Sequence, residues 1–415
     1  MRRVVAVTAI GLVVLVAAPA RAADPLRSTQ WYLDAVRAGE AHRVATGTGV
    51  TVAVLDTGVD ARHPDLRGQV VVGPDFVGTL GAGEDPNGHG TNVAGVIAAN
   101  AGNGLGVEGA APRSKVLSIR VMGADGSGDT GRAARGIDAA IAAGARVINL
   151  SLTPHPTLLH LIDARDPIIG AIERANAAGA VVVVAAGNYG MPLCAQPPSL
   201  QGVICVEALN RARRRSHYSD YGVRVDLSAP GGDDDAPIHS TAPGGGYSGM
   251  VGTSQATPLV SAAAALLLSL GLERQQVIHR ILESATDLGY PGQDLEYGHG
   301  ALNMEAAVAG LGPAPQQVSV SVSPPSHARA ALILRRGLRL WFTGALPGTY
   351  AARLTIGGRV LARGRRALAA PGTAQIVLRA SAAGRRTLRR ERGGRVRLTV
   401  VAPDDTKVSA VIGLR

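Results

Sequence analysis

The residues of this 415-residue chain that could do chemistry together lie in three short glycine-framed stretches. These are Val54-Leu55-Asp56-Thr57-Gly58, Asn87-Gly88-His89-Gly90-Thr91 and Gly252-Thr253-Ser254-Gln255-Ala256-Thr257-Pro258. They supply a carboxylate, an imidazole and a hydroxyl, in that chain order. A serine hydroxyl is a weak nucleophile until an imidazole takes its proton, and the imidazole needs a carboxylate to fix its tautomer and stabilise its charged form. Asp56, His89 and Ser254 are therefore the expected catalytic residues. No Cys or second His stands at ligand spacing around His89, so no metal is expected there. Ser254 opens an apolar helix running to about Leu270, a place where a helix-capping serine and a nucleophile are compatible readings. Pro258 is expected within the first turn or so of that helix, where proline is tolerated.

These residues need a frame. The short apolar runs 49–55, 115–121, 146–152, 180–186 and 203–208 read as strands, and 91–100, 130–143 and 168–178 between them read as helices. Alternating strands and helices predict an α/β domain, a doubly wound and mostly parallel sheet. Near-continuous Val and Ile runs fit strands buried on both faces. Ligands of such sheets sit at the carboxyl ends of strands. Asp56, Asn149-Leu150-Ser151 and Asn188 fall at such ends.

Beyond Gly310-Leu311-Gly312-Pro313-Ala314-Pro315, a linker-like stretch, the pattern changes to alternation at 318–322, 332–334, 338–342, 350–356, 374–378, 396–401 and 408–412. Turn signals separate these runs. A smaller all-β, sandwich-like domain is expected there. The division is also electrostatic. Residues 313–415 hold 19 Lys and Arg against 3 acids, a net +16, which leaves −5 of the chain's +11 for residues 1–312. A basic unit of this kind reads either as an Arg-rich solvated surface or as a contact for an anionic cell-envelope surface. Its aromatics, Trp341, Phe342 and Tyr350, lie in strand-like runs, so nucleic acid is not expected.

The start, Arg2-Arg3, an apolar run from Val4 to Ala18 and then Ala20-Arg21-Ala22, reads as a secretory signal peptide over residues 1–22. At about 15 residues the run is short of the ~20 that span a bilayer. The mature protein is expected to be secreted and monomeric. In an exported chain the two cysteines, Cys194 and Cys205, read as a disulfide, with buried free thiols or a metal pair as the alternatives. A loop this short would add about 2–3 kcal/mol if closed. Residues 23–48 are an N-terminal extension, 49–312 the α/β domain and 313–415 the basic domain.

The frames of Asp56, His89 and Ser254 resemble those of the subtilisin-like serine peptidases (subtilases) over roughly residues 45–310. That resemblance implies a subtilisin-like fold and hydrolysis of proteins or peptides through an acyl-enzyme. It also implies an oxyanion hole built from Asn188, in Ala185-Ala186-Gly187-Asn188, and the Ser254 amide. Asn149, Leu150, Ser151 and Gly187 are then expected to meet an extended substrate. Thr153-Pro154-His155-Pro156 departs from the family's usual glycines. Gln30-Trp31-Tyr32-Leu33-Asp34-Ala35 and Gly39-Glu40-Ala41-His42 are locally similar to the mycosins, subtilases of actinobacterial type VII secretion. Between the leader and Val50 there is no room for the folding prodomain many secreted subtilases carry. No cofactor is expected to be required, with structural calcium left open. Many subtilases hold structural calcium; the acid-rich loops here, Asp233-Asp234-Asp235 and Asp125 with Asp129, match no known Ca²⁺ spacing and read as solvated.

Overall fold

The computed structural model describes residues 23–311 except 79, 153–165 and 193–201. In the C-terminal region it describes 321–323, 327–328, 338–344, 348–368, 372–390, 395–401 and 407–414. The chain divides into two compact units, Met1–Gly312 and Pro313–Arg415. The expected leader, the segment Thr153-Pro154-His155-Pro156 and Cys194 lie outside the described residues.

The first unit begins with two short helices, α1 (Trp31–Ala35) and α2 (Ala38–Ala41). Seven strands follow: β1 (Thr51–Asp56), β2 (Val70–Asp75), β3 (Lys115–Arg120), β4 (Val147–Leu150), β5 (Val181–Ala185), β6 (Val203–Leu209) and β7 (Leu227–Pro230). They pair in the order β2-β3-β1-β4-β5-β6-β7, every pair parallel. Val52 to Leu55 are fully buried, as are Val181 to Val183, which is why these strands carry apolar residues at consecutive positions. Four helices wrap the sheet: α3 (His89–Ala98), α4 (Thr130–Ala142), α5 (Pro167–Ala177) and α6 (Thr253–Ser269). Residues of α4 and α5 share one core with the alternate residues Ala53, Leu55, Ile119, Ile148, Val182 and Val184. α3 and α6 pack on each other and on the sheet. A hairpin of β8 (Ile238–Ala242) and β9 (Gly246–Met250) leads into α6.

Three features were not legible in the alternation. β7 was not expected, being only four residues long. Nor was β2; Gly73-Pro74 interrupts it, its register with β3 shifts after Val72, and Val71 and Val72 are half-exposed at the sheet edge. The N-terminal segment is also more than an extension. Tyr32, Leu33 and Val36 are fully buried, and the Tyr32 hydroxyl donates to the His239 carbonyl at 2.8 Å. Gln30 donates to Tyr32 Oη and to the Glu108 carbonyl and accepts the Glu108 amide. This segment clamps β8 to the loop before β3.

The second unit is a β domain. β10 (Ser321–Ser323), β11 (His327–Ala328), β12 (Leu338–Gly344), β13 (Gly348–Ile356), β14 (Arg359–Leu368), β15 (Gly372–Ala380), β16 (Arg395–Val401) and β17 (Lys407–Leu414) form one hydrogen-bonded order, 10-12-15-14-13-16-17-11. Among the described residues only β11 with β17 is parallel. A helix, beyond the six in the first unit already placed and the short α7 (Arg274–Glu283) and α8 (Met304–Val308), breaks the expected run of strands: α9 (Ala382–Arg390). Ser381 Oγ caps it by accepting the Gly384 amide at 2.9 Å.

Candidate active site

The strand ends bring the three glycine-framed stretches to one cleft. Asp56 is the last residue of β1 and has no solvent exposure. Its Oδ1 accepts the Thr57 amide at 2.7 Å and His89 Nδ1 at 2.8 Å. The second oxygen, Oδ2, is buried with no hydrogen-bond partner among the described residues. His89 is the first residue of α3, and its side chain is 22 % exposed, facing the cleft. Gly88 precedes it at φ 97°, a conformation few other residues adopt. Gly90 is dictated by space: a Cβ there would stand 2.0 Å from the Gly58 carbonyl and 3.0 Å from Asp56 Cβ. The imidazole reaches the carboxylate because two backbones touch at that glycine.

A buried carboxylate that the sequence reading missed holds this turn. Asp85 Oδ1 accepts Thr57 Oγ1 and the Gly88 amide, both at 2.8 Å, and the Asn87 amide at 3.2 Å. Its Oδ2 accepts the Thr91 amide at 2.8 Å and Thr91 Oγ1 at 2.6 Å. Thr57 Oγ1 in turn accepts the Gly90 amide at 3.0 Å. Asp85 is thus the anion at the N-terminus of α3, satisfying first-turn N–H groups. The signal available was an Asp four residues before His89, indistinguishable in sequence from a loop acid. Burial disfavours the charged form of His89. The charge and hydrogen bond of Asp56, with Asp85 behind, outweigh that and hold its pKa above the ordinary histidine value.

Ser254 is the second residue of α6, after Gly252 at φ 151°. Pro258 falls in the second turn rather than the first, a correction to the sequence expectation. It has no N–H, so the carbonyl four residues back, that of Ser254, loses its helical partner. Ser151 Oγ replaces it at 2.8 Å. The Ser254 hydroxyl donates to the Ser151 carbonyl at 3.2 Å. Ser254 is thereby latched to the end of β4 on both its main chain and its side chain.

Asn188 lies three residues past β5 and is exposed at the cleft. Thr253 donates to its Oδ1 twice, from the amide and from Oγ1, both at 2.9 Å. With the oxygen fixed by two donors, the carboxamide nitrogen is the end left for another partner. The Ser254 amide is a first-turn N–H with no helical acceptor. Gly187 is held by its own main chain: its amide meets Thr253 Oγ1 and its carbonyl accepts the Asp220 amide.

Asn149 and Leu150, expected to meet substrate, turn their side chains inward. Asn149 is fully buried, donates to Ser151 Oγ at 2.9 Å and accepts Ser261 Oγ at 2.8 Å, which ties β4 to α6. Leu150 is 1 % exposed. What this stretch offers the cleft comes from Ser151, Leu152 and the main chain. The cleft has a volume of about 860 Å³, with His89, Ser254 and Asn188 along it and the carboxylates of Asp125 and Asp129 at its rim. Asp125 is held by the Ser127 amide and hydroxyl, and Asp129 caps α4 through the Arg132 amide and pairs with Arg132 at 3.0 Å. Asp233 accepts the Ala236 amide. These acids serve turns and caps, and among the described residues no group of three or more His, Cys, Asp or Glu could hold a metal ion. Cys205 is buried on β6; the expected bridge to Cys194 falls outside the described residues.

A doubly wound parallel sheet with an Asp, a His and a Ser delivered to the carboxyl ends of its strands defines a class, the serine hydrolases. The sequence profile of the subtilase family matches residues 47–300. The chain is 38 % identical to subtilisin Savinase of Lederbergia lenta over 285 residues, 68 % of this chain and 99 % of that one. It is 36 % identical to thermitase of Thermoactinomyces vulgaris over 286 residues, 69 % and 98 % of the two chains. It is 40 % identical to a thermophilic serine proteinase of Bacillus sp. (strain AK1) over 253 residues, 60 % of each. The chain therefore spans only part of that last relative and nearly all of the other two. It belongs to the subtilase family and is a serine-type endopeptidase.

Proposed function

We propose that the chain is a secreted endopeptidase that cleaves peptide bonds through Asp56, His89 and Ser254. The observation that carries this reading is the 2.8 Å contact of His89 Nδ1 with the buried Asp56, on a cleft shared with Ser254 and Asn188. In the reaction the Ser254 hydroxyl leaves the Ser151 carbonyl and turns to His89 Nε2, which takes its proton as Oγ attacks the substrate carbonyl. Asp56 stays ionised and stabilises the imidazolium. The negative oxygen is met by the Asn188 carboxamide N–H and the Ser254 amide, donors fixed before the charge develops. His89 then protonates the leaving amine, and water, activated by the same imidazole, releases the acyl group from Ser254. The substrate main chain lies along the 149–152 segment as an added strand.

The leader-like residues 1–22 support export of the enzyme, and a Cys194–Cys205 pair suits that setting. The basic second unit holds the enzyme to an anionic surface of the cell envelope. Labelling of Ser254 by a fluorophosphonate, with N-terminal sequencing of the secreted protein, tests both parts. A labelled Ser254 and a start near residue 23 are expected. An unlabelled, folded protein would reduce the chain to a scaffold with a peptidase fold.

A further inference from the structure

We propose that one face of the second unit's sheet is a binding surface for a linear phosphate polymer. The proposal rests on the reading of this unit as an anionic-surface tether and specifies where and what it binds. Strand register puts Arg353 of β13 directly opposite Arg363 of β14, and Arg363 directly opposite Arg379 of β15. Three guanidinium side chains therefore stand in a row across three adjacent strands, about 5 Å apart at the backbone. Arg365, two residues along β14, and Arg397, opposite Thr355 on β16, extend the same face, and all five are exposed. The other face carries the core: Leu354 lies opposite Ala362 and Leu398, and all three are buried.

Like charges directly opposite on neighbouring strands destabilise a sheet. A surface that only had to stay soluble would mix signs, whereas here three arginines stand in register on adjacent strands. No carboxylate is found among the described residues of this unit, whose three acids, Glu391, Asp404 and Asp405, lie outside them. Of its 19 cationic side chains 18 are arginine. The planar fork of arginine pairs with phosphate in a bidentate manner, which lysine does not do. Among the described side chains of the unit, no large apolar group is exposed to enter a bilayer. A polymer of closely spaced phosphates can neutralise the whole row at once, and this favours it over a lipid surface.

The test uses the full chain carrying Ser254→Ala, which prevents self-digestion, and fluorescent long-chain inorganic polyphosphate at ~0.15 M salt. The triple variant Arg353→Gln, Arg363→Gln, Arg379→Gln should bind at least about 10-fold more weakly, with a flatter salt dependence as fewer phosphates are neutralised. Its thermal midpoint should be unchanged or higher, because repulsion is relieved. Arg386→Gln, Arg389→Gln, Arg390→Gln on α9 removes the same charge elsewhere and should weaken binding less than about 3-fold. The triple Arg→Lys exchange in the row keeps the charge and should still lose affinity. Equal losses in the row and helix variants would overturn the face while leaving a charge tether standing. No polyphosphate binding by the parent chain would overturn both. Tighter binding to vesicles containing anionic phospholipid than to polyphosphate would overturn the polymer and assign the row to a membrane surface.

Discussion

Asp85→Asn isolates what the buried carboxylate beneath His89 does. The exchange keeps the shape and removes the charge. Asp85 is 7 % exposed and receives five hydrogen bonds, two of them from Thr91, a fully buried residue. In the variant one oxygen becomes an NH₂. If it replaces Oδ2, the Thr91 hydroxyl can adapt, since it already accepts the Asp60 amide at 2.9 Å, but the Thr91 amide is left facing a donor. A buried unsatisfied N–H costs about 1–3 kcal/mol, and the bonds that survive lose their charge assistance. A total of about 2–4 kcal/mol follows, or roughly 3–7 °C in the thermal midpoint of a unit this size. It should be measured in the Ser254→Ala background at a fixed scan rate. The second readout is the pH dependence of kcat/KM with Ser254 intact. His89 acts as base only when neutral, so activity is lost as pH falls through its pKa. That pKa is raised above the ordinary value, partly by Asp85, so removing this charge should move the acid limb to lower pH even as the maximal rate falls. A midpoint within about 1 °C of the parent together with an unmoved acid limb would refute the argument that Asp85 positions and polarises the histidine.

Ser254→Ala should abolish peptide hydrolysis by several orders of magnitude in a folded protein; casein cleavage near the parent rate would end the assignment. Asn188→Ala should lower kcat by about 10²–10³ with little change in KM, a magnitude known for such a donor in subtilisin and not worked out from this chain; a change confined to KM would make Asn188 a ground-state contact. Glu207 is buried on β6, its Oε2 without a hydrogen-bond partner among the described residues; burial, against the Ser228 hydrogen bond and Arg215, pushes its pKa up to about 8. The folded state therefore holds the proton longer than the unfolded one. Its contribution to stability is full below about 4.5 and is lost as pH rises through about 8. Thermal midpoints of the Ser254→Ala protein should fall from pH 6 to pH 9, and Glu207→Gln should lessen that fall; equal slopes would contradict it. The exposed Asp125 lines the cleft, so a preference for basic substrate side chains is expected there, and Asp125→Asn should lower kcat/KM for an Arg-containing peptide relative to its Gln counterpart by about 2–5-fold, the weight of one exposed charge. An unchanged ratio in paired assays would exclude that role.

The sequence alone determined five of the seven strands of the parallel sheet and the helices between them. Val and Ile at consecutive positions require strands covered on both faces, and helices between them require parallel neighbours. Asp56, His89, Ser254 and Asn188 stand out as candidates because each sits in a local frame of glycines and small residues whose spacing does not depend on the rest of the chain. Asp85, Thr57, Thr91 and Ser151 were not legible, since their roles are made by contacts between segments far apart in sequence. The Ser151 hydroxyl matters only because Pro258, more than a hundred residues away, leaves a carbonyl free. Asn149 looked like a substrate contact from its strand-end position, and only packing against Ser261 shows that its side chain is a brace. The arginine row follows the same logic. Alternation announced exposed and buried positions on each strand, but register decides which exposed positions face each other, and register is a property of the paired sheet.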